Sequence, residues 1–150
     1  MNDSEKQDAL YRCLEFGTGG LHGVMGAGTN RMNIYTVRQT TQGLANEIIE
    51  SGKESKGVVI AFDSQNSSKR FAYECARVLC ANGIKTYLFD DLRPTPEFSF
   101  SVRYLSCARG IVKAVCGKLH TALYYNIIFF QLRCERFYIK VKTFVIRMEV

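Results

Sequence analysis

The run Gly57-Val58-Val59-Ile60-Ala61-Phe62 carries no polar side chain, which is the pattern of a strand covered on both faces. It lies between two helical patterns. From Asn33 to Ser51 the residues Ile34, Val37, Leu44, Ala45, Ile48 and Ile49 recur on one face of a 3.6-residue period, with Gly52 placed as the stop. Past Asp63-Ser64, a second helix capped by Asn66 or Ser67 buries Phe71, Ala72, Cys75, Ala76 and Leu79 and ends at Gly83. Ile84 to Phe89 reads as another strand. Thr95-Pro96-Glu97 reads as a helix start, with Thr95 as N-cap, Pro96 at the first helical position and Phe98, Val102 and Leu105 on one face. Gly110-Ile111-Val112 begins the next strand. Helix and strand alternate throughout, so the expected fold class is α/β: a three-layer α/β/α domain with a largely parallel sheet, followed by a β-rich basic C-terminal tail. At 150 residues and 47% hydrophobic content the chain is long enough for one such core and too short for two.

Two regions break the alternation. Gly17, Gly19, Gly20, Gly23, Gly26 and Gly28 fall within twelve residues, a density that suits irregular backbone or close approach to a ligand. Residues 121–150 contain no Gly, Pro, Asp or Ser, so nothing there marks a turn. Ile139, Val141 and Val145 alternate with Lys140 and Lys142 as a strand between two environments would. Tyr124 to Phe130 is uncharged and β-prone, an aggregation hazard unless it pairs in the sheet. The expected organisation is a domain over 1–118 and a divergent aromatic, basic tail over 119–150.

Charge follows the same division. Residues 1–100 hold 11 Lys/Arg against 12 Asp/Glu, and residues 101–150 hold 9 against 2. A basic stretch of this size reads as a solvated face, and nucleic acid is not expected as a partner. The six cysteines form no C-x-x-C pair and there are two histidines, so no metal site and no disulfide framework has usable spacing. The amino terminus is polar and acidic, unlike a secretory signal or transit peptide. The longest apolar run falls well short of the roughly 20 residues of a membrane span. A cytoplasmic protein is expected.

Three places could carry chemistry. Phe16-Gly17-Thr18-Gly19-Gly20-Leu21 could cradle a phosphate on backbone N–H groups, with the Thr18 hydroxyl adding a donor beside Gly19 and Gly20. It matches neither a Walker loop nor a dinucleotide fingerprint, and a plain connecting loop is the competing reading. Asp63-Ser64 follows a buried strand, where open α/β sheets bind ligands, or else forms a polar turn capping the next helix. His22 could donate to a phosphate or simply be solvated.

Leu14-Glu15-Phe16-Gly17-Thr18-Gly19-Gly20-Leu21, Gly26-Ala27-Gly28-Thr29-Asn30-Arg31-Met32-Asn33 and Arg93-Pro94-Thr95-Pro96-Glu97, in this order, resemble the first domain of the α-D-phosphohexomutases, in particular the long phosphoglucomutase and phosphopentomutase-like branch. The resemblance covers about residues 9–112. It implies an α/β/α domain I of a four-domain enzyme that interconverts sugar phosphates through a phosphoserine, with Mg²⁺ and a sugar bisphosphate activator. The departures are equally specific. Where the family continues Thr-Ala-Ser-His-Asn-Pro, this chain reads Lys113-Ala114-Val115-Cys116-Gly117-Lys118-Leu119-His120. Counted without gaps, Cys116 takes the position of the phosphoserine, and His22 and Gln65 those of two family arginines. The metal, sugar-specificity and final phosphate-binding parts have no counterpart, and from Lys113 the resemblance stops as though the reading frame had been broken.

A thiolate at Cys116 could act as nucleophile if Lys113 or Lys118 lowered its pKa; the competing reading is a small buried apolar residue. The leading expectation is therefore a truncated domain I, inactive alone, with weak sugar phosphate affinity at Thr18, Gly19 and Gly20. A second is a non-enzymatic binding or interaction protein whose tail contacts a partner chain, self-associates or meets an acidic surface. A third is mutase activity by complementation with a separate chain that supplies the missing domains.

Overall fold

The computed structural model describes residues 3–17, 20–64, 67–119 and 122–130, of which 16, 17, 113–119 and 122–130 are described by their backbone alone. The expected alternation is present. Helix α2 (Ile34–Glu50) leads to β3 (Val58–Phe62), α3 (Ser68–Ala81) to β4 (Thr86–Leu88), and α4 (Thr95–Tyr104) to β5 (Arg109–Leu119). β3 is central to this unit and pairs in parallel with β4 on one side and β5 on the other.

Four elements stand outside that unit. Helix α1 (Asp3–Leu10) opens the chain, and β1 (Phe16–Gly17) and β2 (Gly20–Val24) form within the glycine-dense stretch, where irregular backbone was expected. The last strand among the described residues, β6 (Ala122–Phe130), contains the uncharged run Tyr124–Phe130 and pairs on both sides, with β5 and with β2. The six-stranded order is β1-β2-β6-β5-β3-β4. Because β6 is antiparallel to both its neighbours, β2 runs in the same direction as β3, β4 and β5. The strand expected near Ile139–Val145 lies outside the described residues.

Side-chain alternation along β3 divides the core into two layers. Val58, Ile60 and Phe62 join Ile111 of β5 in a cluster with Val37 of α2 and Phe71 of α3. Val59 and Ala61 face the opposite way and pack with Val112 of β5 and with Phe98 and Val102 of α4. All five β3 residues are buried, as their unbroken apolar character requires. Gly110 lets α4 lie close on β5, since a Cβ there would stand 2.5 Å from Phe98 Cζ and 2.7 Å from Val102 Cγ2.

Helix boundaries follow their caps. Asn33 closes a capping box on α2: its Oδ1 accepts from the Thr36 N–H at 3.1 Å, and the Thr36 hydroxyl accepts from the Asn33 N–H at 2.9 Å. Ser67 caps α3 in the left-handed region (φ 69°) without a side-chain bond; Asn66, the other expected cap, lies outside the described residues. α4 begins one residue earlier than expected. Pro94 is its N-cap and Thr95 its first helical residue, because the main-chain carbonyl of Pro94 already accepts from Glu97 and Phe98. α2 and α3 are tied by Glu74, only 11% exposed at its side chain, whose Oε2 accepts from Arg38 Nε at 2.7 Å and whose Oε1 accepts from Arg77 Nη1 at 3.3 Å. Among the described residues no helix is long and apolar enough to cross a membrane.

Candidate functional site at the carboxyl edge of the sheet

From β3 the chain passes through α3 to β4 on one side, then through α4 across the opposite face to β5 on the other side. The strand order therefore reverses between β3 and β5. In open α/β sheets, ligands bind in the crevice outside the carboxyl ends of the strands at such a switch point. Phe62 and Lys113 are paired at that end of β3, and Asp63, half-buried, and Ser64, exposed, follow at once. The position read from the sequence for Asp63-Ser64 is thus the observed one. α3 starts just beyond, and Lys69 in its first turn places Nζ 5.9 Å from the centroid of the Phe62 ring. Arg93 stands past the carboxyl end of β4, with Nη2 3.5 Å from Asp90 Oδ1 and Nε 3.9 Å from Glu97 Oε1. Lys69 is an edge cation that sequence reasoning did not single out, and Arg93 entered it only as part of the resemblance motif; their position after parallel strands is the signal that could have found them.

Register places the remaining candidates. Leu21 of β2, Ile127 of β6, Lys113 of β5 and Phe62 of β3 share one row across the sheet. His22 is one residue further along, in line with Asn126 and Ala114, and so reaches the level of Asp63. It is half-buried and on the opposite face from Leu21. β6 and β5 stand between β2 and β3, so three interstrand spacings, about 14 Å, separate His22 from the β3 end.

Gly20 is buried with φ 118° and pairs with Gly17. Thr18 and Gly19, between them in sequence, lie outside the described residues. Gly20 enters β2 on the amino side of the Leu21–Phe62 row, whereas Asp63 and Ser64 leave β3 on the carboxyl side. The structure therefore brings His22 level with Asp63 but does not bring Gly20 to that edge.

Cys116 lies three residues past Lys113 on β5. The register of β5 and β6 shifts between Val115 and Lys118, so Cys116 and Gly117 oppose the single residue Tyr124, which pairs on its other side with Val24. This is a β-bulge beyond the carboxyl end of β3. The Cys116, Lys113 and Lys118 side chains, and Gln65, lie outside the description. Cys107, in the loop before β5, is a thiol of the opposite kind: burial pushes its pKa up to about 11 against a weaker opposing pull from Lys85, so it stays protonated.

The loop from Met25 to Asn33 leaves the carboxyl end of β2. Asn33 Nδ2 donates to the carbonyls of Gly26 at 3.0 Å and Gly28 at 2.9 Å, and the Met32 N–H donates to Val24 O at 2.8 Å. Asn33 thus serves loop geometry. Among the described residues, no group of three His, Cys, Asp or Glu could hold a metal ion.

A layered α/β/α arrangement whose strand order reverses between β3 and β5, with helices on both faces, defines a domain of the doubly wound type. The particular family follows from comparison with known proteins. Residues 14–114 match the model of the phosphoglucomutase/phosphomannomutase α/β/α domain I. A human phosphopentomutase is 40% identical over 119 residues, covering 74% of this chain and 19% of its own length. A phosphoglucomutase of Staphylococcus haemolyticus is 38% identical over 99 residues, covering 66% of this chain and 18% of its own. A solved structure from Thermus thermophilus, a candidate phosphomannomutase, superposes with a TM-score of 0.67 at 26% identity, over 79% of this chain and 25% of that one. The chain belongs to the phosphoglucomutase/phosphomannomutase family and spans about a fifth of the length of the curated relatives it matches.

Proposed function

We propose that these residues form a domain I that binds a sugar phosphate weakly at the carboxyl edge and does not transfer its phosphoryl group unaided. Membership of the family supports the ligand class. The observation that supports the second half is that the chain carries Cys116 and Gly117 where the family resemblance expects the phosphoserine and its histidine, at the bulge between the stretches of β5 that pair with β6 through Val115 and again from Lys118. His22, in the position of a family arginine, is the residue offered to the phosphate at that edge, and Gly20, with Thr18 and Gly19 expected beside it, precedes His22 on the amino side and is not assigned to the phosphate. Phosphoryl transfer depends on positioning and charge neutralisation. Residues that would hold the Mg²⁺ of a phosphohexomutase are not assembled among the described ones. Mg²⁺ and the sugar bisphosphate activator belong with the other parts of the family enzymes.

One observation weighs against the interaction-protein reading: β6 is built into the sheet between β5 and β2, so 122–130 serve the scaffold. The two readings separate on ligand binding and on mass. With Mg²⁺ and glucose 1,6-bisphosphate, the intact mass should show no added phosphoryl group, while calorimetry with glucose 1-phosphate should give a Kd of about 1 mM. A phosphoryl group mapped to Cys116 and lost in Cys116→Ala overturns the inactive reading. Absence of any sugar phosphate binding by the folded chain favours the interaction protein.

A further inference from the structure

Helix α1 has a single buried residue, Ala9, and so little apolar contact of its own. What holds it is the loop that leaves β2. The Asn30 N–H donates to Ala9 O at 3.0 Å and Asn30 Nδ2 donates to Asp8 O at 2.9 Å. Asn30 Oδ1 accepts from Arg12 Nε at 3.4 Å, and the Thr29 hydroxyl donates to Arg12 O at 2.8 Å. The Arg31 guanidinium pairs with the Asp8 carboxylate. Gly28 completes the fit: its φ is +125°, and a Cβ there would lie 2.4 Å from Ala9 O. These bonds join the end of α1 to the far side of the same loop that Asn33 stitches from within, and that loop departs from Val24, across Tyr124 from the bulge at Cys116-Gly117.

We propose that α1 is a strap, with Asn30 and Asp8 as positioning residues, that orders the Met25–Asn33 loop at the ligand edge. The inference rests on the proposed function for its ligand, a sugar phosphate, but the order of the loop can be read without any ligand. Hydrogen exchange followed by mass spectrometry on the full chain compares the peptide covering 25–36 with that covering 58–62. Exchange over 25–36 should accelerate about five- to thirtyfold in Asn30→Ala, which loses two part-buried hydrogen bonds, and by up to about fivefold in Asp8→Ala, which loses an exposed ion pair, with 58–62 unchanged in both. The pair Asp8→Arg with Arg31→Asp should restore protection towards that of the wild type. The Kd for glucose 1-phosphate should rise by the corresponding factor in each of these two single variants.

Faster exchange confined to residues 3–12, with 25–36 as protected as before, overturns the strap. A loosened loop with an unchanged Kd overturns its role at the ligand edge. If the wild type binds no glucose 1-phosphate, the sugar phosphate reading fails and the exchange data alone decide the strap. The Asp8 side chain is 60% exposed, so Asp8→Ala keeps the test available should Asn30→Ala not fold.

Discussion

Glu74 is the charged residue whose loss the fold should feel most directly. It is a nearly buried carboxylate held by Arg38 across the α2–α3 contact and by Arg77 on its own helix. Glu74→Ala removes charge-assisted bonds to two guanidinium groups and should destabilise the protein by about 2 kcal/mol, read as a lower urea midpoint at unchanged slope. Both arginines reach solvent, which keeps the loss below that of a fully buried pair. Cys107 gives a pH-dependent counterpart. The folded state holds its thiol proton up to about 11, against 9.0 for the free thiol. Between those values the unfolded chain binds fewer protons, so the contribution of Cys107 to stability is complete below pH 9 and is lost as pH rises through 11. The stability difference between wild type and Cys107→Ser, followed by urea melts from pH 8 to 11.5, should change over that interval only. At pH 8 Cys107 should alkylate far more slowly than Cys13, which is exposed.

At the scale of elements, the contact of α4 with β5 is an interlock that a single added carbon disturbs. Gly110→Ala pushes a methyl into Phe98 and Val102 and should cost about 2 kcal/mol by thermal melting, because both neighbours are fully packed. The elements that sequence reasoning placed well share one property: their pattern is local. β3 is an unbroken apolar run and α2 and α3 carry clear helical periods, so burial alone identifies them. α1 has no such stripe, and its partners lie some twenty residues away in a loop that reads as punctuation. β2 is hidden by its own glycines, which argue against a strand until β6, about a hundred residues later, supplies its partner. The candidate site divides the same way. Asp63-Ser64 was legible because it ends a buried strand, whereas the alignment of His22 with that edge depends on long-range register that no local pattern encodes.

Over the whole molecule, the sheet combines a parallel β4-β3-β5 unit, built from neighbouring segments, with a seam that joins β2, near the amino terminus, to β6, the last described strand. Pairing of such long sequence separation slows folding. Stopped-flow refolding should therefore run in the range of about 0.01 to 1 s, with β3 amides protected before those of β2 in pulse-labelling exchange. On the ribosome the same seam sets an order of events. At a few residues per second to some twenty, α2 through β5 emerge complete while β2 and one margin of β5 still lack the strand that lies between them. For those seconds the nascent chain presents two bare hydrogen-bonding margins, the kind of surface that chaperones bind and that recruits other unfinished chains.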